Sequence, residues 1–158
     1  MKNILLIEDS EKHRKDAFTF LRENISFKMN LEVAYTFEEA CEYLLRTSNK
    51  EISGVISDIY FPENERKNDS NQPIGVAIMS ICRELNIPCI LNTDGYHHAQ
   101  GYGWINSLQN FLKLPEMVDN LGAPGMEGKD EVKVKAETKN WKRAFTDLWT
   151  LIGEKESV

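Results

Sequence analysis

The sequence lacks what a membrane protein needs. Its apolar runs are short, and the first, residues 4–7, is stopped at once by Glu8 and Asp9. Neither a signal peptide nor a spanning helix is predicted. Positive charge is also scarce: 19 Lys and Arg against 25 Asp and Glu give a formal net charge of −6. That excludes a general nucleic-acid-binding surface, though not a small basic patch. Only three cysteines occur (Cys41, Cys82, Cys89), an odd number without CxxC spacing. All three fall in apolar segments and read as buried free thiols, which points to a cytoplasmic protein. Internal repeats are absent, and no glycine-rich phosphate loop follows the first apolar run, which disfavours nucleotide binding.

What is present is the composition of one folded domain. Of the 158 residues, 41% are hydrophobic and 28% charged, enough to bury a core. Residues 3–7, 31–34, 52–59 and 88–93 read as buried strands. Between them lie helical patterns. Ser10 is an N-cap ahead of Ala17, Phe18, Phe20, Leu21 and Ile25. Thr36 with Glu39 forms a capping box before Ala40, Cys41, Leu44 and Leu45. Ile74, Ala77, Ile78, Ile81, Cys82 and Leu85 share one side of a third helix. Residues 62–73 are polar and predict a solvated loop. This β-α-β-α-β-α-β order predicts a parallel sheet covered on both faces.

The last third is less regular. Residues 94–103 read as a loop, and 104–112 as a helix with Ile105, Leu108, Phe111 and Leu112 on one face. Residues 122–128 form a glycine-rich break. Val132 to Lys135 alternates apolar and basic residues, predicting a fifth strand at an edge. Thr138 is the expected cap of a final helix that buries Trp141, Phe145, Leu148, Trp149 and Ile152.

Three acids fall at strand ends: Glu8 and Asp9 after the first, Asp58 at the end of the third. In a doubly wound sheet, ligands bind beyond those ends. Carboxylates about 4–5 Å apart repel by roughly 3–4 kcal/mol per pair at an effective dielectric near 20. A hard divalent cation relieves that cost, so the trio predicts a metal, with Mg²⁺ suited to such oxygens.

The blocks Ile4-Leu5-Leu6-Ile7-Glu8-Asp9-Ser10, Ser57-Asp58-Ile59-Tyr60-Phe61-Pro62 and Ile90-Leu91-Asn92-Thr93 together resemble response-regulator receiver domains of two-component signalling. The resemblance covers the chain to about Thr93. It implies a doubly wound, five-stranded parallel sheet of the flavodoxin-like class, here with an extended segment after the fourth strand. It also implies a signalling module rather than an enzyme. Asp58 would be the phospho-acceptor, taking its phosphoryl group from a histidine kinase or phosphotransfer protein. Asp9, Asp58 and the Tyr60 backbone carbonyl would bind Mg²⁺, with Glu8 holding a metal-bound water. Thr93 would contact the phosphoryl group together with a lysine. Lys135 keeps the expected spacing to the Thr138 cap, Lys133 shares its face, and Lys113 competes by its distance from Thr93.

Several residues depart from the family pattern. Ala136 stands where a proline is usual, Asp94 where a small residue is usual, and Val132 where an aromatic switch residue is expected. His97 and His98 sit in the long segment after the fourth strand, as surface residues or as modulators of the site. With the chain ending at Val158, one receiver-like domain without an output module is expected, signalling through an unidentified downstream protein. The alternative is an interaction module that no longer depends on phosphate. A small phosphatase is disfavoured, because Tyr60 occupies the position where such enzymes place a second aspartate.

Overall fold

A computed structural model describes residues 2–24, 29–45, 51–65 and 70–157. Among these, four strands form one parallel sheet in the order β2-β1-β3-β4: β1 Lys2–Ile7, β2 Met29–Ala34, β3 Ile52–Ser57 and β4 Cys89–Leu91. Side chains alternate across the sheet, so neighbouring residues feed opposite cores. Leu5, Ile7, Val55 and Leu91 pack on one face under α2 (Phe37–Leu45), α3 (Gly75–Glu84) and α4 (Gly103–Leu112). Ile4, Leu6, Ile56 and Ile90 pack on the other, under α1 (Glu11–Asn24) and α5 (Trp141–Glu156). The expected helices and parallel sheet are present, with helices on both faces. No helix among the described residues is long and apolar enough to cross a membrane.

The expected fifth strand at residues 132–135 is not formed. Asp130 instead closes a turn there, its side chain accepting from Val132 N at 3.1 Å and its carbonyl from Lys133 N and Val134 N at 3.1 and 3.0 Å. Local bonds of this kind compete with a strand ladder, and Val132 and Val134 are left exposed. The place beside β4 is taken by Val118, which donates to Leu91 O and accepts from Thr93 N, both at 2.8 Å. From there the chain makes an excursion through residues 120–138 before returning at Lys139. A small core of Ala123, Met126 and Ala136 holds the excursion together.

The caps differ in detail from expectation. Thr36 Oγ1 accepts from Glu39 N at 3.2 Å, but Glu39 reaches back to Tyr35 N, one residue before the cap. The last helix is capped by Asn140, whose Oδ1 accepts from Arg143 N at 3.2 Å, and not by Thr138. Phe18 and Phe111, expected to face cores, are exposed. Around them Ala17 on α1, and Ile105 and Gln109 on α4, take the buried positions. Trp141 is buried and Trp149 only partly so. Cys82 and Cys89 are buried free thiols and Cys41 is partly buried. Ile25 and residues 66–69 of the polar loop lie outside the described residues.

The start of α3 presses on the end of β3. A Cβ on Gly75 would stand 2.3 Å from the Asp58 carbonyl oxygen and 2.9 Å from Ile59 Cα, both rigid backbone. Gly75→Ala should therefore cost about 1–3 kcal/mol. Gly153→Ala in α5, where nothing lies within 4 Å, should gain up to about 1 kcal/mol. Urea denaturation of the two variants should show shifts of opposite sign.

Candidate functional site at the carboxyl ends of the strands

The strand ladder brings the acids together. Asp58 N donates to Ile7 O at 2.8 Å and Glu8 N to Ala34 O at 3.0 Å. The two strand ends therefore finish side by side. One carboxylate oxygen from each of Glu8, Asp9 and Asp58 falls within 4.8 Å of the others. Arg14 steadies the acidic pair from below: its guanidinium donates to Asp9 O at 2.6 Å and Glu8 O at 3.0 Å, stacked over the Tyr35 ring.

The lysine at the site is Lys139, which the sequence had not singled out. Its Nζ lies 2.5 Å from Glu8 Oε2 and 2.9 Å from Asp58 Oδ1, and its side chain is 1% exposed. Lys135, the expected residue, is mostly exposed and pairs with Asp94 at 3.4 Å. Lys113 caps the C-terminus of α4 in the left-handed conformation and is exposed. Its neighbours Leu114 and Pro115 line a cleft with Pro88 and Cys89 at the start of β4, the opposite end of the sheet from Asp58. The physical reason for this rearrangement is the Asp130 turn. It removes the strand on which Lys135 was to ride, and the chain next approaches the sheet only just before α5. The signal available in the sequence was position: Lys139 directly precedes the buried stripe Trp141, Phe145, Leu148 and Ile152.

The charges at the site are unequal. Burial raises the Asp58 carboxyl to about 6; Glu8 pushes in the same direction and Lys139 opposes it. Burial also works against ionised Glu8, but Lys139 and His13 outweigh it and hold this carboxyl below its ordinary value. For Lys139, burial favours the neutral amine, yet Asp58 and Glu8 overcome it and keep the ammonium charged well above its usual range. Asp58 Oδ1 accepts from Lys139 and, at 2.7 Å, from Ile59 N. Its Oδ2 has no hydrogen-bond partner among the described residues, and the side chain is 14% exposed.

Thr93 is buried just past the end of β4, level with the Asp58 turn because Asn92 N donates to Ser57 O at 2.8 Å. Its Oγ1 accepts from Gly95 N at 3.2 Å, which leaves its hydroxyl hydrogen to donate. The segment that follows is tied to the excursion rather than open. Asp94 O accepts from Ala136 N at 2.9 Å, Gly95 O from Asn120 N at 2.8 Å, and Tyr60 donates its hydroxyl to Gly101 O at 2.7 Å. His97 belongs to this lacing: its Nδ1 lies 2.5 Å from Oδ2 of buried Asp119, which also accepts from His97 N at 3.2 Å. The His98 ring packs against that of His97, centroids 3.9 Å apart and tilted by 49°. Among the described residues, neither histidine joins a cluster able to hold a metal.

Magnesium fits the residues that are present. The donors are hard oxygens, they converge on one point, and two of them, Asp9 Oδ2 and the Tyr60 carbonyl, share a single amide donor from Asn71 at 3.0 and 3.4 Å. Carboxylate and carbonyl oxygens are the ligand types Mg²⁺ takes.

Two expectations follow from the charges. The raised Asp58 carboxyl disfavours its ionised form in the folded state, so its stability contribution declines as pH rises from about 4 to about 6. Asp58→Asn should therefore be more stable than the parent by about 1–3 kcal/mol at pH 7.5 without Mg²⁺. The gain should vanish near pH 4, as read by thermal melts across that range. Lys139→Met should lose about 3–5 kcal/mol at pH 7.5 by stranding two buried acids. At pH 5, where protonation can neutralise them, the loss should be smaller.

No protein-family model and no curated protein matches the sequence. Solved structures do match, over nearly the whole chain. The signal receiver domain of a putative LuxO repressor protein from Vibrio parahaemolyticus superposes with a TM-score of 0.62 at 15% identity, covering 98% of this chain and 92% of that one. The receiver domain of the Francisella response regulator 1452 gives 0.57 at 15% identity, covering 98% and 99%. The bacteriophytochrome response regulator AtBRR gives 0.55 at 17% identity, covering 97% and 93%. With a parallel sheet in the order β2-β1-β3-β4 and an acidic cluster at its carboxyl end, the chain has the fold of a response-regulator receiver domain.

Proposed function

We propose that the chain is a receiver that accepts a phosphoryl group on Asp58 from a partner histidine kinase or phosphotransfer protein and signals by altered protein–protein contact. The observation that carries this is the asymmetric state of Asp58. Lys139 and Ile59 N fix Oδ1, while Oδ2 is left without a partner among the described residues. A carboxylate oriented through one oxygen, with the other left as nucleophile, supports this reading.

In the proposed reaction Oδ2 forms a bond to phosphorus as the bond from phosphorus to the partner's histidine nitrogen breaks, and the imidazole leaves with a proton from solvent. Asp9, Asp58 and the Tyr60 carbonyl would hold Mg²⁺, with Glu8 close by. When bound, Mg²⁺ supplies neutralisation of the charge gathered between Asp58 and the phosphoryl oxygens. Lys139 neutralises the other side of Asp58 and keeps its carboxylate oriented. The Thr93 hydroxyl donates to a phosphoryl oxygen. Lys135 is the second cation, held at the rim by Asp94 and close enough for the Asp58 charge to favour its protonated form. Burial alone would lower the Lys135 ammonium, but Asp94, Tyr102 and Asp58 together raise it.

One observation favours the other reading, a module that no longer depends on phosphate. The segment after Thr93 would have to move in a switch, yet Asp94, Gly95, His97 and Gly101 each hold a bond to the excursion, to Asp119 or to Tyr60. Beryllofluoride with Mg²⁺ separates the two. Under the phosphorylation reading, amide resonances of Asp58, Thr93 and the 94–103 segment shift, and Asp58→Asn removes the response. Silence of these resonances at saturating Mg²⁺ would leave the phosphate-independent module.

A further inference from the structure

Asn71 belongs to the polar loop between β3 and α3, is exposed, and is not part of the acidic cluster. Even so, its amide nitrogen lies 3.0 Å from Asp9 Oδ2 and 3.4 Å from the Tyr60 carbonyl oxygen. Those two oxygens come from the ends of different strands. The loop backbone delivers the amide: Phe61 and Gln72 exchange paired N–H···O bonds of 3.2 Å. Residue 71 is thereby held beside the site independently of its own side chain.

An amide NH₂ lodged between a carboxylate and a carbonyl marks a point of strongly negative potential, where a cation would also settle. A cation and N–H hydrogens cannot face each other there. The paired bonds at Phe61 and Gln72 limit how far the loop can withdraw, but a half-turn of the terminal amide costs little. It exchanges NH₂ for an acceptor oxygen of nearly the same shape.

We propose that Asn71 is a cation ligand of this site. Its NH₂ bridges Asp9 Oδ2 and the Tyr60 carbonyl. To meet Mg²⁺ the amide would turn over and offer Oδ1 in place of its NH₂. This assignment rests on the magnesium reading above and adds a ligand to it.

Titration calorimetry of the full chain with MgCl₂, supported by electron paramagnetic resonance with Mn²⁺, tests it. Asn71→Ala should weaken Mg²⁺ about tenfold, equivalent to about 1.4 kcal/mol. Asn71→Asp, which keeps the oxygen and adds charge, should bind at least as tightly as the parent. In the parent, the Asn71 side-chain ¹⁵N–¹H₂ resonances should move on Mg²⁺ addition. Asn71→Ala binding Mg²⁺ as tightly as the parent, or more tightly, overturns the assignment while the magnesium reading stands. A parent chain that binds no Mg²⁺ overturns both.

Discussion

The structure depends on one buried ammonium. Lys139 lies between Glu8 and Asp58 with almost no exposure, and without it the ends of β1 and β3 would bring together acids that repel each other in a low-dielectric setting. Taking a lysine out of water is costly, and only paired carboxylates at hydrogen-bond distance offset that cost. The pairing fixes the roles of the two acids. Glu8 is held ionised below its ordinary range, while Asp58 is pushed up to about 6. Counting Glu8, Asp9 and Asp58 as −3 and Lys139 as +1, the ionised cluster retains −2. That remainder is the charge one divalent cation would neutralise.

Two long segments surround this cluster and shape access to it. The loop between β3 and α3 brings Asn71 across from one side. The 94–103 segment, bonded to Asn120 and Ala136 of the excursion, closes the other. The excursion stands where a continuous edge strand would otherwise run from the Val118 bridge to the lysine. It separates the residue that extends the sheet from the residue that completes the site. The Asp94–Lys135 pair fastens it to the end of β4, and the His97–Asp119 pair ties the 94–103 segment to the residue just before it.

Much of this was legible in the sequence, because it rests on local or periodic signals. Among the described residues, the four strands and five helices follow from apolar periodicity and capping residues, although β2, expected to be buried, is mostly only partly so. Glu8, Asp9 and Asp58 could be placed together because strand ends in a parallel sheet gather on one edge. What was not legible depends on competition between local and distant bonds. Val132, Lys133, Val134 and Lys135 alternate as an edge strand would, yet one Asp130 carboxylate and its carbonyl capture three of the following N–H groups and wind the segment into a turn. Pairing between Val118 and β4 has no alternating pattern to announce it. Lys139 looked like part of a helix start, and Asn71 like one polar residue among many in a solvated loop. Nothing in their spacing encodes which acid each would meet.

The ion pair of Lys139 with Glu8 joins positions 131 residues apart in the chain. During synthesis the first three strands emerge well before their counter-charge does. Until α5 docks, the acids at the sheet's edge either stay apart or hold protons, so this corner of the fold is finished late. Contacts of such long separation are slow to form because the loop between them must first be closed. The Asp58 carboxyl acquires its final geometry only when the last helix is seated. A chain interrupted before Lys139 would carry the Asp58 carboxyl without the clamp on its Oδ1.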